Sequence, residues 1–79
     1  MKVTIVAVDG RVSVNGFSED IDCSSLPEDI SVIQWYGTFG EIEYHTDLET
    51  GQRKHNESIT DFAPYKHLLD AWEVKSRAT

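Results

Sequence analysis

Two closely spaced turn dipeptides, Asp9-Gly10 and Asn15-Gly16, constrain the fold of this chain more than any other feature. Asp-Gly and Asn-Gly between alternating apolar segments are strong hairpin signals, because a two-residue type I′ turn needs positive φ at both central positions. Residues 2–8 supply the first segment, with Val3, Ile5 and Ala7 on one face and Thr4, Val6 and Val8 on the other, in a β-branched run that favours a strand. Arg11 to Val14 is expected to return antiparallel, with Val12 and Val14 pointing to the core. At Asn15-Gly16 the chain either reverses again at Phe17 or leaves the sheet there.

Residues 18–31 lose periodicity and gather Ser, Asp, Glu and Pro, which marks a loop, with Ile21, Leu26 and Ile30 as its anchors to the core. Val32 to Tyr36 reads as a strand, Gly37 to Gly40 as a glycine-bounded connection, and Glu41 to Thr46 as the next strand. In that strand Ile42 and Tyr44 face one way while Glu41, Glu43 and His45 face the other, the pattern of a sheet with one wet face. Asp47 to Gln52 is another turn, and Arg53 to Ser58 is polar enough to be a charged edge strand.

From Thr60 the period changes. Tyr65, Leu68, Leu69 and Trp72 lie at helical spacing, with Asp61 as N-cap and Pro64 in the first turn, where a missing N–H costs nothing. The helix is expected to run to about Val74, leaving Lys75 and Arg77 where its dipole favours positive charge. The chain therefore reads as α+β: a small antiparallel sheet of four to five strands, made of hairpins, packed against one C-terminal amphipathic helix. At 79 residues this is a single globular domain, spanning 1–79. Trp35, Tyr44, Phe62, Leu69 and Trp72 are expected to form the core between sheet and helix, and Phe39 to be the exposed aromatic.

Charge narrows the function. Acids outnumber bases 14 to 7, a formal charge of −7 that repels phosphate backbones and anionic lipid alike, so neither nucleic acid nor a membrane is an expected partner. No apolar run approaches the roughly 20 residues that cross a bilayer, and the N-terminus shows no apolar signal core. Cys23 is the lone cysteine, which fits a reducing compartment such as the cytoplasm. Between Arg11 and Arg53 there is no Lys or Arg, while Glu19, Asp20, Asp22, Glu28, Asp29, Glu41 and Glu43 all fall there.

Nothing in the residues spells out catalysis. His45, His55 and His67 offer no i, i+4 ligand pair; a hairpin closing around Leu48 to Gly51 would make His45 and His55 neighbours near Glu43, but scattered surface histidines are the commoner arrangement. Cys23 stands beside Asp20 and Asp22, which oppose thiolate formation, and so reads as a small buried apolar residue. Ser24 and Ser25 lack the glycines of a nucleophile elbow. A small sheet with one helix is expected to offer little concavity, against the roughly 300 to 1,000 Å³ of ligand pockets. The expectation is a non-enzymatic protein with no catalytic residue, no metal and no cofactor.

Leu26-Pro27-Glu28-Asp29-Ile30, followed by Ile33-Gln34-Trp35-Tyr36-Gly37 and Gly40-Glu41-Ile42-Glu43-Tyr44, together with Ile59-Thr60, Pro64-Tyr65 and Asp70-Ala71-Trp72, resembles short proteins of tailed bacteriophages and prophages encoded near tail and tail-fibre genes. The resemblance covers most of the chain from Ile21 to Trp72 and brings no activity with it. It implies an accessory protein of tail or tail-fibre assembly, or a small virion component, working through protein–protein contact in the host cytoplasm or in the virion. The acidic middle also suits a second role, as a small phage inhibitor of a host nucleic-acid-binding or defence protein, in the manner of anti-CRISPR proteins. Either way the expected partner is another protein with a basic surface. The residues expected to meet it are Glu41 and Glu43 on the wet strand face, the acidic loop residues Glu19, Asp20, Asp22, Glu28 and Asp29 extending the same negative field, and Phe39.

Overall fold

The structure is a computed structural model that describes residues 1–77. Six strands, β1 (Val3–Val6), β2 (Arg11–Val14), β3 (Phe17–Asp20), β4 (Ile30–Trp35), β5 (Gly40–Tyr44) and β6 (Glu57–Ile59), are followed by a single 3-10 turn (Ala63–Tyr65) and the helix α1 (Lys66–Arg77). The strands form one sheet in the order β3-β2-β1-β4-β5-β6, with every neighbouring pair antiparallel. The α+β class and the C-terminal helix are as expected, but the sheet has six strands rather than four to five.

Turn chemistry explains the extra strand. Asn15 and Gly16 both have positive φ, 51° and 90°, and join Val14 directly to its partner Phe17, so the chain reverses here and residues 17–20 are strand, not loop. Asp9-Gly10 behaves differently. Val6 pairs with Arg11, so four residues, Ala7 to Gly10, make the connection, and of these only Gly10 is left-handed, at φ 59°. Its N–H donates to the Ala7 carbonyl at 3.2 Å.

The registers place Val3, Ile5, Val12, Val14, Ile33, Trp35 and Ile42 on one face, and all are buried. At roughly 1.5 to 3 kcal/mol for each fully buried aliphatic side chain, this face is a major part of the folding drive. A bulge in β4 is needed to complete it. Ile30 pairs with Tyr44 but Val32 with Glu43, so Ser31 is an additional residue and Ile30 joins Ile33 and Trp35 on the core face instead of following Val32 to the other side. That break in alternation is why the sequence pattern starts this strand only at Val32. Ile21, Cys23 and Leu26, on the segment leading from β3 to β4, cover the same face.

The helix closes the core. Leu68 and Leu69 are buried and Tyr65 and Trp72 half-buried, while Phe62, just ahead of the 3-10 turn, stacks on Trp35 with ring centroids 5.1 Å apart. Asp61 is not the expected N-cap: it accepts the Ala63 N–H at 2.9 Å in a local turn ahead of the 3-10 turn, whose N-cap is Phe62, and the helix continues past Val74 to Arg77. Lys66–Asp70 and Glu73–Arg77 pair at i, i+4 along its outer side. Gly40, opposite Trp35, accommodates the indole: a Cβ there would lie 2.9 Å from Trp35 Cε3. The molecule measures 20 Å along its shortest axis, room for one sheet and one helical layer at about 10 Å each. Among the described residues no layer covers the second sheet face.

Candidate functional site

That second face is polar by construction. Ser18, Ser13, Thr4, Gln34, Glu41 and Ser58 stand in line across all six strands, because each is the register partner of the next. A parallel row holds Asp20, Arg11, Val6, Val32 and Glu43. Across the middle of this face the apolar side chains in these two rows are Val6 and Val32, both half-buried, so no further layer is needed to keep water off it.

At one end of the face, where β4 turns into β5, two aromatic rings stand clear of the core. Tyr36 and Phe39 meet with centroids 5.1 Å apart, and Phe39 is 56% exposed, as expected from its glycine-bounded turn, but it is not the one exposed aromatic, since Tyr36 is exposed beside it and Phe17 on the edge strand β3 is 74% exposed. The Tyr36 hydroxyl donates to Gln34 Oε1 at 2.9 Å, and Gln34 Nε2 reaches Glu43 Oε2 at 3.4 Å. The Lys2 ammonium lies 5.6 Å from the centre of the Tyr36 ring, a cation–π contact. Phe39, Glu41 and Glu43 thus form one line along β5, with Glu41 exposed and Glu43 half-buried.

The other expected acidic residues are elsewhere. Asp20 shares the open face but belongs to β3, four strands from β5 and so about 19 Å away, and it is paired with Arg11 at 3.5 Å. Glu19 is the register partner of Val12 and therefore lies on the core side. Asp22, Glu28 and Asp29 lie on the connection to β4, at the end of the sheet opposite the aromatic hairpin. A continuous negative field running from Glu41 and Glu43 into that loop does not form, because strand direction carries the two groups to opposite ends.

The loop end gathers Asp9, Asp22, Glu28, Asp29, Asp47 and Glu49, several of them already bonded. Asp22 accepts the Ser24 N–H at 2.9 Å, and its side-chain and backbone bonds with Ser24 hold its carboxyl below the usual carboxylate range. Lys54 Nζ contacts Asp29 Oδ2 at 2.6 Å, which lowers that carboxyl too, and the same ammonium lies 5.0 Å from the Tyr44 ring centre. The long connection from β5 to β6 is pinned to Asp29 at both ends, by the His45 N–H on its carbonyl at 2.9 Å and by Lys54 on its carboxylate, and between these ties it borders an open cleft of about 560 Å³, lined by Glu28, Asp29, Tyr44, Asp47, Arg53 and Lys54 among others. Little concavity was expected; the length of that connection creates it.

The nucleophile candidates are structural in their surroundings. Cys23 is buried, its thiol pushed up by burial and then by Asp22, with Sγ 3.4 Å from the Ile21 carbonyl. Ser25 Oγ lies 2.9 Å from His67 Nε2, a contact sequence spacing did not reveal, and it ties the loop to the helix. No third side chain orients that imidazole among the described residues, so the pair lacks the geometry that activates a serine. Arg53 bridges to Thr46, closing the expected turn, yet among the described residues no three His, Cys, Asp or Glu side chains gather as metal ligands. No helix among them is long and apolar enough to cross a membrane.

Fold and surface together define an α+β protein with one open antiparallel sheet, helix-covered on one side and bare on the other. No protein-family model matches the chain, and no curated protein or solved structure is detectably similar to it.

Proposed function

We propose that this protein is a non-enzymatic interaction module, an accessory of phage or prophage tail or tail-fibre assembly, that uses its bare sheet face to bind a basic surface of another protein. The observation that carries the reading is the line Phe39, Glu41, Glu43, which starts at the β4–β5 turn, where the Phe39 carbonyl accepts the Tyr36 N–H at 2.8 Å, and runs along β5 with no other element over it among the described residues. The likeness of residues 21–72 to phage tail-region proteins supplies the setting, in the host cytoplasm or the virion. Glu41 is exposed, where a charge change costs under about 0.5 kcal/mol, and Glu43 is half-buried with a 3.4 Å bond from Gln34 whose loss costs about 1 kcal/mol, so Glu41→Lys combined with Glu43→Lys should preserve the fold while weakening association. Tagged wild-type and double-variant protein are used to capture partners from infected and uninfected host lysate at low and high salt. A virion or tail-assembly protein held by wild type and released by the double variant supports the reading. Equal capture by both proteins at both salt concentrations rules this face out.

The acids gathered at the loop end support a second reading, an inhibitor that occupies the basic groove of a host nucleic-acid-binding or defence protein. In that case the captured partner is a host protein, its nucleic acid competes for it, and charge reversal at Glu28 and Asp47 weakens capture more than reversal at Glu41 and Glu43.

A further inference from the structure

We infer that the β4–β5 hairpin reads an extended basic segment of its partner, residue by alternate residue, along the line Phe39, Glu41, Glu43. This rests on the interaction reading above and adds what the partner must look like. Along a strand, side chains on one face recur about every 6.8 Å, so the exposed ring and the two carboxylates form a ruler of fixed spacing. An extended peptide has the same repeat. Bases at its alternate positions therefore meet the three groups in turn: a guanidinium stacked on the Phe39 ring, then a base on Glu41 and another on Glu43.

Three features favour this hairpin over the more acidic loop end. The exposed Glu41 carboxylate has no bonding partner among the described residues and Glu43 is held only by a neutral amide, Gln34 at 3.4 Å, whereas Asp29 is already neutralised by Lys54 at 2.6 Å. The aromatic pair already receives a cation, since Lys2 sits over the Tyr36 ring and leaves Phe39 as the open member of the pair. The carboxylates are carried on a strand paired on both sides, so their separation is set by the sheet.

The test uses two synthetic peptides of identical composition, one alternating Arg with Ser and one with its three Arg contiguous, titrated into the full chain and followed by amide chemical shifts. The alternating peptide is expected to bind about fivefold tighter or more and to move the resonances of residues 36–44, with affinity falling as salt rises. Glu41→Gln with Glu43→Gln should weaken it about tenfold and Phe39→Ala a few-fold, the dispersed spectrum of each variant confirming its fold. Equal binding of the two peptides, or shifts centred on residues 22–29 and 45–54, would overturn the inference. So would an oligosaccharide pool moving the Phe39 and Glu41 resonances while neither peptide does. A captured partner that survives Glu41→Gln with Glu43→Gln defeats the ruler but leaves the interaction module standing, whereas absence of any captured partner defeats the module itself.

Discussion

The indole N–H of Trp72 donates to the backbone carbonyl of Phe17 at 2.9 Å, tying the helix to the edge strand β3 by a polar contact between residues far apart in the chain. One turn further on, Lys75 donates to the Asp20 carbonyl of the same strand. The helix therefore packs against this edge strand as well as the core, and two side chains on backbone carbonyls of β3 hinder the approach of another strand there.

Trp72 is half-buried rather than fully enclosed, because its ring reaches outward to make that bond. Trp72→Phe should therefore cost about 1 kcal/mol through the lost hydrogen bond, and Trp72→Ala about 2 to 3 kcal/mol, below the range for a fully buried tryptophan. Urea unfolding of both variants checks this. A Trp72→Phe midpoint equal to wild type would show that the bond contributes nothing.

Gly40 and Gly16 should respond to alanine in different ways. At Gly40 a methyl meets Trp35 and the Gln34 backbone, which cannot yield, so Gly40→Ala should cost about 3 kcal/mol or more, a large part of the roughly 4 to 12 expected for a chain this size. Gly16 faces open space but has φ 90°, and Gly16→Ala should cost about 1 to 2 kcal/mol from backbone strain alone. Thermal melts that rank the two in the reverse order would contradict the packing of Trp35 across β5.

Tyr44 gives the protein a pH dependence at the alkaline end. Its hydroxyl donates to Glu57, and this bond, with burial and the carboxylate charge behind it, pushes the phenol up from 10 to about 12. Folding raises this pKa, so the stabilisation is complete below pH 10 and is lost as pH climbs through 12. Spectrophotometric titration should show a late phenolate that vanishes in Tyr44→Phe, whose stability should also fall less steeply across that interval.

Protein purified without chelator should contain zinc well below about one equivalent per chain, and chelator should leave its melting temperature unchanged. His45 and His55 flank the turn closed by Thr46 and Arg53, but no third ligand joins them among the described residues. Stoichiometric zinc by elemental analysis would overturn this.

Local chemistry made much of the fold legible. Alternation in Val3 to Val6 and Glu41 to Tyr44, the two-residue turn at Asn15-Gly16, and the Tyr65, Leu68, Leu69, Trp72 stripe each reflect covalent geometry over a few residues, which tertiary contacts left in place, whereas Asp9-Gly10 marked a reversal but not its four-residue length. The side-by-side order of strands is a different kind of fact. Whether residues 17–20 pair with β2 and residues 57–59 with β5, and where Ser31 interrupts the alternation, depends on contacts distant in sequence and on which arrangement buries the most apolar surface.

The candidate surface divides the same way. That Glu41 and Glu43 share a wet face was readable from the period of the strand, and that Phe39 is exposed from its glycine-bounded turn. That Glu19 falls on the core side, that Asp20 stands four strands away, and that Asp22, Glu28 and Asp29 crowd the far end beside an open cleft was not. Sequence determined which way each side chain points from its own strand, because that follows from a two-residue repeat. Only the tertiary structure decided which side chains become neighbours, because strand order and direction are set by the burial of the whole core.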